Sequence, residues 1–125
     1  MKVKTTFIST VIQSIKYAFK GIKVLVSTET NAKTQAILGI LAILMGFCFS
    51  ISATEWMVQI LIIALVLVAE TINTAIEKLA DFVHPDYHEK IGAIKDISAG
   101  APTFAALFSL IIASIIYIPK IIAVF

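Results

Sequence analysis

Apolar and polar positions divide the chain into four helical stretches separated by short polar breaks. From Lys4 to about Val26, the residues Phe7, Ile8, Val11, Ile12, Ile15, Ala18, Phe19, Ile22 and Val26 recur at helical spacing, with Gln13, Lys16, Lys20 and Lys23 on the remaining arc. This predicts an amphipathic helix over 4–26 that lies in the membrane interface, its apolar face toward lipid and its lysines toward anionic headgroups. A surface helix on a protein core is the alternative for this stretch. A polar link, STETNAKTQ, then leads to an apolar run from Ala36 to Phe49 that continues to Ala53. About 18 such residues approach the span of a hydrocarbon core roughly 30 Å thick, which predicts a first membrane span over 33–51. SISATE turns the chain, and a second span over 54–82 begins with Trp56 as an interfacial anchor. Pro85 predicts a break within FVHPDYHEK. The third helix and span covers 92–118: polar at Lys95 and Asp96, apolar from Ala99 to Tyr117, with Pro119 and Lys120 at its far end.

Composition agrees with a bilayer protein. Of 125 residues, 59% are hydrophobic and 14% charged, and the mean hydropathy is +0.98, well outside the balance of a soluble domain. The predicted class is therefore an all-α integral membrane protein forming a single domain over 1–125. A formal charge of +2 is too small for a nucleic-acid partner. All ten basic residues are lysines, so no arginine fork is available for phosphate. Cys48 is the only cysteine, which excludes an intrachain disulfide. The N-terminal stretch has the look of a signal peptide but lacks an uninterrupted apolar core, and it is expected to belong to the mature protein. Lysines 2, 4, 16, 20, 23 and 33 precede the first span, and 78, 90 and 95 lie between the second and third. The positive-inside bias places the N-terminus and the 78–98 region in the cytoplasm.

Candidate chemistry sits in AETINTAIEKLADFVHPDYHEK. On a helical wheel Glu70, Asn73, Glu77 and Asp81 fall at roughly 0, 300, 340 and 20 degrees, with Thr74 beside them. An acidic stripe at the membrane boundary cannot face lipid without a partner. Magnesium suits it, since that ion takes one or two carboxylates and completes its shell with phosphate oxygens. Glu29, before the first span, is positioned by topology to supply a second ligand. Lys95 offers charge against phosphate, while Asn73 and Asp96 offer hydrogen-bonding groups. These are the parts of a phosphoryl-transfer site, although no Walker or kinase glycine loop is present. The residues alone also permit a small transporter or channel subunit, or a structural module joined by polar contacts. His84 and His88 flank a proline without a metal-binding pattern and are expected to be capping or interfacial residues. Gly39 and Gly46 allow close helix approach in the first span.

The same stretch resembles the signature region of the small prokaryotic diacylglycerol kinase family, which includes undecaprenol kinases. Glu70, Asn73, Thr74, Ala75, Ile76, Glu77 and Asp81 fit its motif E-x-x-N-[ST]-A-[IV]-E-x-x-x-D, followed by Tyr87, His88, Gly92, Lys95 and Asp96. Upstream, Tyr17, Lys20 and Gly21 resemble the family's surface-helix motif, and Glu29 its acidic partner. The resemblance implies a homotrimer in the bacterial cytoplasmic membrane whose active sites, shared between subunits at the cytoplasmic face, move the γ-phosphoryl group of Mg-ATP to a membrane lipid alcohol. It implies Glu70 as catalytic base and Glu29 and Glu77 as magnesium ligands. Tyr17, Lys20, Asn73, Lys95 and Asp96 would form the rest of the nucleotide site, together with the two ligating glutamates. No obligatory protein partner is expected. Two departures stand out: Thr10 lies near a position where relatives often carry arginine, and Ala32 where they commonly carry an aromatic residue. Lys2 and Lys4 are left out of the expected site. The N-T-A-I-E form, Pro-Asp-Tyr-His, Ala-Gly-Ala at 99–101 and the Pro-Lys-Ile ending look more like the undecaprenol kinase branch, with diacylglycerol as the alternative acceptor.

Overall fold

A computed structural model describes residues 6–125. It contains four helices: α1 Phe7–Thr28, α2 Thr30–Cys48, α3 Ala53–Val83 and α4 Glu89–Val124. Lys4 and Thr5, where the surface helix was expected to begin, lie outside the described residues, as does Lys2. α1 starts at Thr6, whose hydroxyl accepts the Ser9 N–H at 3.1 Å, and it buries none of its side chains. α2, α3 and α4 are each long and apolar enough to cross a membrane; α1 is not among them.

The polar link expected between α1 and α2 is helical instead. Only Glu29 leaves the helix, at φ −102° and ψ 118°. Its N–H still donates to the Leu25 carbonyl at 2.9 Å, and its carbonyl accepts from Lys33 at 3.0 Å. The polar side chains bond back along their helices. Ser27 and Thr28 donate to the Val24 carbonyl at 3.1 and 2.7 Å, and Thr34 donates to the Thr30 carbonyl at 2.9 Å.

α2 ends in a Schellman turn. Ser50 takes the left-handed conformation at φ 50°, the Ile51 N–H reaches the Gly46 carbonyl at 3.1 Å, and the Ser50 N–H reaches that of Phe47 at 3.3 Å. A capping box follows at once: Ser52 accepts from the Glu55 N–H at 3.2 Å, and Glu55 accepts from the Ser52 N–H at 2.9 Å. Trp56 lies over Gly46 so closely that a Cβ there would sit 2.6 Å from its ring, and the ring also packs on Phe47 with centroids 4.9 Å apart. Gly46→Ala is therefore expected to destabilise the protein by about 1–3 kcal/mol, read as a lower thermal midpoint in detergent. Gly100→Ala, where an added Cβ meets nothing within 4 Å, should be neutral or stabilising by up to about 1 kcal/mol. Equal melting of the two variants would contradict the packing argument.

α3 and α4 form the most extensively packed pair, an antiparallel hairpin. Its rungs are Glu55 with Lys120 at 2.7 Å, Gln59 with Tyr117, Asn73 with Ser98 at 2.8 Å, and Asp81 with Lys95 at 2.6 Å. At 1.5 Å per residue, Glu55 and Asp81 are separated by about 39 Å along α3. That exceeds the hydrocarbon thickness, so each ion pair can reach an interface. Between them Gln59 is 2% exposed. Its amide nitrogen donates to the Ala42 carbonyl at 3.1 Å and its oxygen accepts the Tyr117 hydroxyl, which ties α2, α3 and α4 together.

Pro85 does break the chain. His84 ends α3, with Nδ1 2.7 Å from the Asp86 carbonyl, and His88 begins α4 by accepting the Lys90 N–H at 3.1 Å. Both histidines thus act in the turn. Pro119, expected at the end of the third span, lies inside α4 together with Pro102, and the helix continues to Val124. Each proline costs one ladder bond, a loss that membrane helices tolerate where neighbouring groups compensate.

Candidate active site

The carboxylate stripe changes character along α3. Glu70 is 5% and Asn73 4% exposed, Thr74 is buried, Glu77 is half-buried and Asp81 is exposed. The apolar residues of α3 turn other edges outward, Ile72 and Leu79 among them. The polar edge is therefore packed on protein where it is deepest and emerges toward water at Asp81. The Thr74 hydroxyl returns to the Glu70 carbonyl at 2.9 Å and so takes no part in the stripe's outward chemistry.

Glu29 reaches this edge from the α1–α2 junction. Its carboxylate is 3.0 Å from the Lys78 ammonium, and Lys78 directly follows Glu77 in sequence. Glu70, Asn73 and Glu77 follow one another along one face of α3, and the Glu29–Lys78 pair lies beside its exposed end. Glu70 itself takes no part in the ion pairs of the described residues, which use Glu29, Glu55 and Asp81. A carboxylate in that setting is well placed to take a proton or to meet a cation supplied with a ligand.

α4 contributes the second wall. The Ser98 hydroxyl donates to Asn73 Oδ1 at 2.8 Å, and both residues are buried. Lys95 meets Asp81 at 2.6 Å at the mouth of the stripe. Asp96 is exposed beside it, and the two line an open cleft of about 330 Å³ at the α3–α4 turn, together with Asp81, His84 and His88. Tyr17 is 69% exposed and Lys20 is also exposed. The hydrogen bonds and ion pairs of the described residues do not join Tyr17, Lys20 or Asp96 to the carboxylates.

Sequence reasoning did not single out Lys78 or Ser98 for the site. Lys78 has a local signal, since it adjoins Glu77 near the C-terminal end of α3. Ser98 has one as well: it follows Lys95 by three residues and so shares its helix face. Neither signal names the partner on another helix.

The described residues hold no group of three or more histidine, cysteine, aspartate or glutamate side chains arranged to bind a metal ion. One or two carboxylates with phosphate and water is the ordinary protein share of a magnesium shell. The oxygen donors of Glu29 and Glu77 fit that chemistry.

Comparison with known proteins identifies the family. Residues 16–117 match the family described as prokaryotic diacylglycerol kinase. The undecaprenol kinase of Bacillus subtilis is 34% identical over 87% of this chain and 89% of its own length. The diacylglycerol kinase of Synechocystis is 29% identical over 88% of this chain and 63% of that relative. The diacylglycerol kinase of Escherichia coli K12 is 26% identical over 86% of this chain and 88% of its own length. With a family match that runs from within α1 to near the end of α4, the chain belongs to the prokaryotic diacylglycerol kinase family and is a phosphotransferase.

Proposed function

We propose that the protein transfers the γ-phosphoryl group of Mg-ATP to the hydroxyl of a membrane lipid, with undecaprenol as the favoured acceptor. The observation that carries this reading is the buried Glu70, on the face of α3 that it shares with Asn73 and Glu77, in a chain of a kinase family. Glu70 takes the proton of the lipid hydroxyl as that oxygen bonds to the γ-phosphorus, and ADP departs with the bridging oxygen. Glu29 and Glu77 would hold magnesium, which when bound would neutralise charge on the phosphate oxygens. Lys95 and Asp96 at the cleft, Asn73 on α3, and Tyr17 and Lys20 on the surface helix complete the nucleotide environment. Lys78 keeps the Glu29 carboxylate facing α3.

The working unit in this reading is a homotrimer in the bacterial cytoplasmic membrane, with its N-terminus and active sites on the cytoplasmic side. Three spans are few to shield an acidic edge from lipid on every side, so a neighbouring subunit is needed to complete the wall. The lysine distribution supports the orientation.

Undecaprenol is favoured by the branch-like segments at 73–77, 85–88, 99–101 and 119–121 and by the relative that carries that name. Diacylglycerol is the second acceptor to weigh, on the names of the other relatives. Competition between the two lipids in one purified preparation with Mg-ATP separates them. Both should be phosphorylated, with a modest excess of undecaprenyl phosphate, because differences in apolar contact discriminate by only about 1–3 kcal/mol per methylene-scale feature. Turnover of diacylglycerol far above undecaprenol would reverse the acceptor and leave the lipid kinase reading standing.

A further inference from the structure

Most serine and threonine hydroxyls inside these helices bond back along their own helix. Ser14, Thr28, Thr34, Thr71, Thr74, Thr103, Ser109 and Ser114 each donate to the carbonyl four residues back on their own helix. Ser98 departs from this pattern. Its hydroxyl crosses from α4 to α3 and donates to Asn73 Oδ1 at 2.8 Å, with the two residues 8% and 4% exposed. The local backbone also differs, because Pro102 supplies no N–H to the Ser98 carbonyl.

The consequence falls on Asn73. An asparagine amide can present either its oxygen or its NH2 group to a ligand, and the Ser98 hydroxyl engages the oxygen end. Asn73 lies three residues after Glu70, so the two occupy neighbouring positions on one face of α3. With the oxygen held by α4, the NH2 group is the end left for the site. A magnesium ion would require the oxygen, whereas an anionic oxygen of a phosphoryl group requires the donor.

We propose that Ser98 is a positioning residue that fixes the Asn73 amide with its NH2 group toward the reacting phosphoryl oxygens, so that Asn73 works as a hydrogen-bond donor and not as a metal ligand. This rests on the phosphotransfer reading above. Losing the serine frees the amide to turn, and the loss expected is that of one hydrogen bond, with the geometry of the transfer affected more than nucleotide binding.

Ser98→Ala should lower kcat by about 3- to 10-fold with KM for Mg-ATP changed less than about twofold, and Ser98→Thr should restore most of the rate. In the nucleotide-free protein, the side-chain NH2 resonances of Asn73, assigned by their loss in Asn73→Asp, should move in Ser98→Ala and return in Ser98→Thr, with the backbone spectrum elsewhere retained. Asn73→Asp keeps an acceptor for Ser98 and removes the donor, so it should lose turnover as fully as Asn73→Ala. Unmoved Asn73 resonances in Ser98→Ala, or wild-type kcat in that variant, would overturn the positioning role. Wild-type turnover in Asn73→Asp would overturn the donor role. Wild-type turnover in Glu70→Gln would instead remove the phosphotransfer reading itself, whatever Ser98 does.

Discussion

Glu70→Gln is expected to reduce lipid phosphorylation by about 10²- to 10⁴-fold, the usual contribution of a positioned general base, while Mg-ATP binding stays within about twofold of wild type. Glutamine preserves the size of the side chain and its hydrogen-bonding capacity, so packing in the α3–α4 hairpin should survive. What it removes is the proton acceptor proposed at the buried end of the stripe. Glu77→Gln is expected to act at a different step. It removes one of the two carboxylates proposed to hold magnesium, so it should weaken Mg-ATP binding and raise the magnesium concentration needed for half-maximal rate. Binding can be read with Mn²⁺ in place of magnesium by electron paramagnetic resonance, and turnover by phosphorylated lipid. Equal loss of binding and turnover in Glu70→Gln would move Glu70 into the metal role. Near-normal turnover of Glu77→Gln at low magnesium would remove Glu77 from it.

A second large effect is expected from mixed assemblies. Within one chain Glu29 of the α1–α2 junction pairs with Lys78 of α3, and in the proposed trimer a site shared across a subunit boundary takes its Glu70 from a neighbouring chain. Glu29→Gln and Glu70→Gln homotrimers should each be inactive. Trimers assembled from both variants should recover measurable activity, because some of their sites then contain one intact copy of each residue. The recovery should track the fraction of mixed trimers, measured by differential tagging. No recovery in verified mixed trimers would assign each site to one chain.

The features legible in the sequence are those that depend on one helix at a time. The 3.6-residue period put Glu70, Asn73 and Glu77 on one face of α3 and marked the amphipathic α1. Pro85 marked the break before α4. Features that depend on two helices were not legible. Lys78 pairs with Glu29, Ser98 with Asn73, and Tyr117 with Gln59 because of the register in which separate helices pack, and no single-helix pattern encodes that register. The same limit explains Asp81: its wheel angle placed it with Glu70, but its side chain is exposed and pairs with Lys95 of α4 at the surface. Two local expectations failed for a different reason. STETNAKTQ and Pro119 both look like helix breakers. The first is helical apart from Glu29, its hydroxyls bonding back to the chain, and α4 continues past the second.

The acidic edge of α3 is proposed to move phosphate from nucleotide to lipid. ATP labelled in its γ-phosphoryl group, given with magnesium to the folded protein in bilayers containing undecaprenol and diacylglycerol, tests this in one measurement. The label should appear in lipid phosphate with the wild-type chain, disappear on chelation of magnesium, and fall at least about 10²-fold in Glu70→Gln. Absence of labelled lipid from a folded wild-type preparation, or transfer that survives Glu70→Gln undiminished, would contradict it.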